Sequence, residues 1–134
     1  MLLVVDASVI VQLSLAGGSL GPLEGHDLIA PTLLASEVTS ILSEMTYRGE
    51  VPEDHARVAV VKLEGLPIRY ERPAGLAERA WDLARSLGWA KTYDAEYLAL
   101  AIISDAPLIT IDQRMRRRAS HIVPMPSPAE LAAT

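Results

Sequence analysis

The order of residues predicts an α/β domain built on a parallel sheet, and three observations lead there. Short apolar runs rich in Val, Ile and Leu alternate with longer stretches in which apolar residues recur at helical spacing, the pattern of strand–helix–strand units. Two of those runs, VVD and LITID, end on an aspartate, and the carboxyl edge of parallel strands is where such sheets bind ligands. The chain has 134 residues, 50% hydrophobic and 22% charged, which suits one buried core. No repeat and no linker interrupts the alternation, so residues 1–134 read as one domain.

Each element has a local reason. Leu2–Val5 is a short apolar run closed by Asp6, and Ala7–Leu15 reads as the helix that follows. Gly17, Gly18, Gly21 and Pro22 break that helix. Leu28–Ala30 is a second strand. Pro31 is well placed to open a helix to about Arg48, since a missing amide costs nothing in a first turn, and Gly49 stops it. Pro52 opens the next helix, to about Glu64. Ile68–Tyr70 is a third strand, followed by a helix from about Ala74 to Leu87 that stops at Gly88. Thr92 is a good N-cap for a further helix, whose Ala95, Leu98, Ala99, Ile102 and Ile103 form one apolar stripe. Pro107–Ile111 is a fourth strand meeting Asp112, and a short basic helix comes next. His121–Val123 would add a fifth strand, giving a sheet of four to five. Ser127 caps a closing helical turn or two, Pro128–Ala133.

Composition narrows the function classes. A chain this apolar is not a disordered one. No apolar run approaches the ~20 residues of a membrane span, and the opening MLLVVDAS carries no basic leader, so no membrane association is expected and the cytoplasm is the expected compartment. The absence of cysteine removes disulfide scaffolds, thiolate zinc sites, CxxC redox motifs and cysteine nucleophiles together. A net charge of −5 opposes long-range capture of nucleic acid by the whole surface, although local patches or bound cations reverse this locally.

Four carboxylates stand out. Asp6 and Asp112 point to the ligand-binding edge of the sheet, although aspartate is also a favoured N-cap and each could simply cap its helix. Glu37 falls inside the stripe of Leu34, Val38, Ile41, Leu42 and Met45, which should pack inward. A lone buried carboxylate is costly unless it is paired, protonated or bound to a cation. Glu44, two turns on, lies on nearly the same face but reads more simply as a surface acid. Asp94 sits one turn before Leu98 at the edge of the inward stripe, whereas Glu96 projects from roughly the opposite side. A first-turn acid complementing the helix dipole is the alternative for Asp94. Taken jointly, such acids repel: at an effective dielectric of about 20, one pair about 4 Å apart costs about 4 kcal/mol. An ionised cluster therefore calls for a cation or for protonation. Oxygen donors without cysteine or an HxxxH pair favour Mg²⁺ or Mn²⁺ over zinc, and such an ion supports phosphoryl chemistry.

The segments VVDAS, APTLLASEVTSIL, TYDAEYLALA and LITID, in this order and spacing, resemble the PIN-domain family, and within it the VapC-like toxins of toxin–antitoxin pairs. The resemblance covers essentially the whole chain. It implies a three-layer α/β/α fold and a Mg²⁺- or Mn²⁺-dependent endoribonuclease, with Asp6, Glu37, Asp94 and Asp112 as catalytic, metal-ligating residues. Ser8 and Thr110 stand where the family often places a hydroxyl near the metals or substrate, and a first-turn serine and a strand threonine are the plainer readings of both. Gln113, Met115 and arginines occupy positions where the family often has further acids, which leaves the number of ions at one or two. The resemblance also implies an RNA substrate, a homodimer, and a small cognate antitoxin whose C-terminal segment lies across the acidic cleft.

Other features carry less. Arg114, Arg116, Arg117 and Arg118 form a basic patch next to the acids, either a solvated helix face or an RNA-backbone contact, with Arg114 and Arg116 the candidates for substrate. His26, His55 and His121 share no metal spacing and no triad context, and a metal-free ribonuclease using two of them is the competing chemistry. The AGGSLGP stretch lacks the GK[ST] of a phosphate-cradling loop. Trp81 and Trp89 flank a helix and read as core or dimer surface rather than a base-stacking platform. The functional alternatives are an RNA-processing nuclease without an antitoxin, an inactive scaffold that only binds a partner, and a receiver-type signalling domain. The last is opposed by Asp6 standing alone after the first strand and by the absence of lysine beyond Lys91.

Overall fold

The chain's fold is taken from a computed structural model that describes residues 1–17 and 20–132; Gly18, of the expected helix break, and Ala133, of the expected closing helix, lie outside the described residues. The elements run β1 (Leu2–Val5), α1 (Ala7–Leu15), a 3₁₀ turn (Gly21–Leu23), β2 (Asp27–Pro31), α2 (Leu34–Tyr47), α3 (Glu53–Leu63), β3 (Ile68–Glu71), α4 (Leu76–Leu87), α5 (Tyr93–Ser104), β4 (Leu108–Ile109), α6 (Gln113–Ala119) and α7 (Pro128–Ala132). All strand pairs are parallel, in the order β3-β2-β1-β4. Leu3, Val4 and Val5 are fully buried, as expected of a strand covered on both faces.

This order positions the site. The chain steps outward from β1 to β2 to β3, then returns past β1 to β4, so the direction of winding reverses between β1 and β4. Right-handed crossovers therefore send the helices of the outward steps to one face and those of the return to the other. Accordingly α1, α2 and α3 pack on one another, and α4 packs on α5, which lies against β1, β2 and β4. The crevice at a winding reversal, outside the carboxyl ends of the strands, is the standing ligand site of open parallel sheets. Asp6 follows β1 and Asp112 follows β4 at that crevice.

Several expectations need correction. His121–Val123 is not a strand. The segment reaches the edge of β4 through one bond, Leu108 N–H to Pro124 O at 3.0 Å, but Pro124 and Pro126 have no amide hydrogen to continue a ladder. The sheet therefore has four strands among the described residues. Pro31 ends β2 instead of opening a helix. It pairs in register with Glu71 of β3, while the β1 ladder has already stopped at Val4↔Ile29, so no partner on that side needs the missing amide. Helix α2 begins at Leu34. Helix α5 follows Thr92, whose side chain makes no capping bond, and its buried face is wider than one stripe: Tyr97, Leu100 and Ala101 are buried as well, and Ile103 is not. A helix between a sheet and a second helix is apolar nearly all round. Two boundary signals hold in full. Gly88 ends α4 in the left-handed region at φ 72. Ser127 and Glu130 form a reciprocal capping box, Glu130 N–H to Ser127 Oγ at 3.1 Å and Ser127 N–H to Glu130 Oε1 at 3.3 Å. Among the described residues, no helix is long and apolar enough to cross a membrane.

Candidate active site

Asp6 is the inner acid. It occupies the N-cap position of α1 but makes no capping bond. Instead its Oδ2 accepts two hydroxyls, Thr110 Oγ1 at 2.6 Å and Ser8 Oγ at 3.0 Å, and only 6% of the residue is exposed. Burial is the leading influence on its pKa and raises it; the two hydroxyls pull the other way, and the charge of Asp112 adds to the rise. Thr110 has no exposure at all. Its oxygen also accepts the Asp112 amide at 3.0 Å, and Ser8 Oγ accepts the Ile111 amide at 3.3 Å. The two hydroxyls thus stitch the end of β1 to the end of β4. They hold Asp6; the expected substrate contact is corrected for Thr110, which lies out of a substrate's reach.

Asp112 does cap its helix. Its Oδ1 accepts the amides of Arg114 at 2.9 Å and Met115 at 3.4 Å, which leaves Oδ2 free of that duty. Glu37, on α2, is half-buried, and its Oε1 accepts the hydroxyl of the fully buried Tyr97 at 2.5 Å. Desolvation raises the Glu37 pKa most, Tyr97 opposes it, and Asp6, Asp94 and Glu96 add repulsion. The tyrosine hydroxyl in turn is pushed far above its ordinary range by burial and by Glu37, so it stays a proton donor. Asp94 opens onto solvent, yet the surrounding cleft walls desolvate it enough to raise its pKa, with Asp6 and Asp112 adding to the rise and Arg114 opposing it.

The repulsions link all four acids: Asp112 acts on Asp6, Asp6 and Asp94 act on Glu37, and Asp6 and Asp112 act on Asp94, one electrostatic cluster at the β1/β4 crevice. Glu37 and Asp94 also line a common cavity. As the side chains stand, no group of three or more His, Asp or Glu among the described residues is drawn together closely enough to hold an ion. The donor set is nevertheless that of a hard cation, carboxylates and hydroxyls without sulfur or imidazole. Its uncompensated negative charge is what such an ion offsets.

Some sequence expectations change here. Glu96 does not face away: its side chain is 13% exposed, pairs with Arg72 at 3.0 Å and adds to the field on Glu37. Arg72, in the β3–α4 connection, brings it in. Periodicity does not single out Tyr97; the unbroken apolar run YLALAII around it signals its burial but not its bond to Glu37. Arg116 donates to Met125 O at 2.6 Å and so ties the tail to the β4 end. Arg114, like Arg117 and Arg118, is exposed, with 80% of its side chain open. Glu44 is a surface acid beside Arg48 at 3.8 Å. His26 precedes β2, at the opposite end of the strands from Asp6, and His55 bonds Leu15 O at 2.9 Å, so neither serves the crevice. Trp81 is exposed with Arg85 over its ring, not core, while Trp89 is half-buried.

Comparison with known proteins gives concordant results. The family model described as PIN domain matches residues 3–120. Ribonuclease VapC1 of Mycobacterium tuberculosis is 35% identical over 122 residues, covering 84% of this chain and 86% of that protein. The crystal structure of PAE2754 from Pyrobaculum aerophilum superposes with a TM-score of 0.73 at 21% identity, covering 98% of this chain and 96% of that one. VapBC2 from Rickettsia felis, solved bound to a DNA fragment from their promoter, gives 0.66 at 12% identity over 95% and 98%. The last two speak for the fold.

Proposed function

Because this chain belongs to the PIN domain family, we propose that it is a divalent-metal-dependent endoribonuclease, the toxin of a toxin–antitoxin pair. One observation carries the reading: acids from four separate stretches share one field at the winding reversal of the sheet, and burial and mutual repulsion raise three of them. The relatives named Ribonuclease VapC and the structural neighbour named VapBC support the activity and the pairing.

Asp6, Glu37, Asp94 and Asp112 would hold Mg²⁺ or Mn²⁺. When bound, the ion supplies the Lewis acidity that lowers the pKa of water and offsets charge developing on the phosphate. The chain's own residues set the stage. Thr110 and Ser8 fix Asp6 through Oδ2. Tyr97 fixes Glu37 through Oε1, and the upward-shifted Glu37 takes up a proton through its other oxygen, Oε2. Arg114 faces the incoming phosphate backbone beside Asp94. An acidic cleft that draws a cation also draws a basic side chain, and that is how a small antitoxin's C-terminal segment would silence the enzyme. Two chains form the working unit, with exposed Trp81 on α4 available to an interface.

The test is a cleavage assay on mixed structured and unstructured RNAs with Mg²⁺, Mn²⁺ or EDTA. Wild type is expected to cut only with metal, and Asp6→Ala and Asp94→Ala not at all. Cutting in EDTA, or by both variants, overturns the mechanism.

A further inference from the structure

Building on the ribonuclease reading, which brings the RNA backbone past Asp94, we propose that the cavity beside the acids seats one unpaired nucleobase next to the scissile phosphate, stacked on Tyr93 against a wall formed by Trp89. Lys91 and Arg114 meet the flanking phosphates.

The cavity measures about 500 Å³ and is lined by Glu37, Trp89, Lys91, Tyr93, Asp94 and Arg114 among others. That size is in the range of sites that enclose a small organic ligand. Its walls combine two carboxylates, two aromatic rings and three cations, of which Arg118 is bonded to Leu87 O, and a nucleotide beside a cleavage site needs each kind of group. Tyr93 immediately precedes Asp94 and is 56% exposed, so a ring covered there is tied by one peptide bond to a carboxylate of the site. The backbone that carries the half-buried Trp89 is fixed: its amide donates to Ala84 O at 2.8 Å and its carbonyl accepts Arg85 Nη2 at 2.6 Å. A ring carried on a fixed backbone loses less freedom when a base covers it than one on a free loop. A base enters such a cavity only after leaving any helical stack. Stacking on an aromatic face tolerates any base, so this seat selects unpaired RNA without reading its sequence. The cations matter because the chain as a whole is negative and a polyanion must approach beside the acids.

The chain holds two tryptophans, so Trp81→Phe leaves Trp89 as the sole reporter of the cavity. In EDTA, where no cleavage is expected, this variant is titrated with oligo(rA), oligo(rU), a blunt RNA duplex and an abasic ribose-phosphate strand, each with about eight phosphates per strand. Both single strands should quench Trp89. Tyr93→Ala should weaken their binding about tenfold, and Tyr93→Phe less than about twofold, since the ring and not the hydroxyl does the stacking. The duplex and the abasic strand should bind no better than the single strands bind Tyr93→Ala. Lys91→Ala and Arg114→Ala should each lower the slope of log K against log salt by about 0.7. Equal quenching by the duplex, equal affinity for the abasic strand, an unaffected Tyr93→Ala or no quenching by any strand overturns the seat. RNA cleavage with Mn²⁺ but no Trp89 response overturns the seat alone. Tyr93-dependent quenching in a chain that cuts RNA neither with nor without metal overturns the nuclease reading instead.

Discussion

The ends of β1 and β4 carry the same local wording, an apolar run, an aspartate and then a helix, yet their aspartates finish in opposite conditions. Asp112 spends Oδ1 on the first amides of α6. Asp6 caps nothing and is held by two hydroxyls from beside and across the crevice. The strand order explains the difference. β1 is an inner strand, paired on both sides and packed under α5, whereas β4 is an edge strand. One residue type thus becomes a helix cap where water remains and a desolvated anion where it does not. Thr110 bridges the two, donating to Asp6 and accepting from Asp112.

Thr110→Val strikes that bridge and should have the largest effect of the changes compared here. The shape is nearly kept, but Asp6 loses the donor that orients it and Asp112 its backbone anchor. Removing a group that orients a metal ligand typically costs about 10- to 100-fold in affinity. Calorimetric titration with Mn²⁺ should show a loss of that size, with Thr110→Ser restoring most of it. A Thr110→Val chain that binds Mn²⁺ as wild type does would show that the bridge is mere packing.

The comparison also explains what the sequence revealed and what it hid. Asp6, Glu37, Asp94 and Asp112 were legible because acids at the ends of apolar runs or inside an inward stripe violate the local hydrophobic pattern, and periodicity detects such violations. Tyr97 was hidden because an aromatic residue within an apolar helix violates nothing; only a partner 60 positions away in sequence shows its hydroxyl to be useful. Glu96 was misplaced because helical geometry assigns a face but not what packs against it, here Arg72. The β1–β4 winding was legible as a class, since alternating runs imply parallel strands. The fifth strand failed on amide supply, which an apolar count does not register: IVPMP looks like a strand and lacks the hydrogens to be one.

Removing the cap itself should cost less. Asp112→Ala should lower stability by about 1 kcal/mol in a urea titration. Asp6→Asn should do the reverse in EDTA. Burial raises the folded-state pKa of Asp6 above its ordinary value of 3.8, so its contribution to stability is fully present below 3.8 and is lost as pH rises through the folded value. The amide cannot ionise and escapes that loss. The variant's advantage should therefore be widest at pH 7 and should close as the pH approaches 4; an advantage independent of pH would contradict the origin in a buried charge. Smallest of all, Glu44→Ala on α2 should change stability by less than about 0.5 kcal/mol, since its pair with Arg48 is solvated. Glu37, two turns earlier on the same helix, supplies the contrast.

Location of the ion by anomalous scattering from crystals of the wild-type chain soaked in Mn²⁺ bears on the central claim most directly. A peak at the β1/β4 crevice, within ligand distance of Asp6 and at least one of Glu37, Asp94 and Asp112, is the expected result. A crevice without a peak at saturating Mn²⁺, or a peak held by other residues, would contradict it.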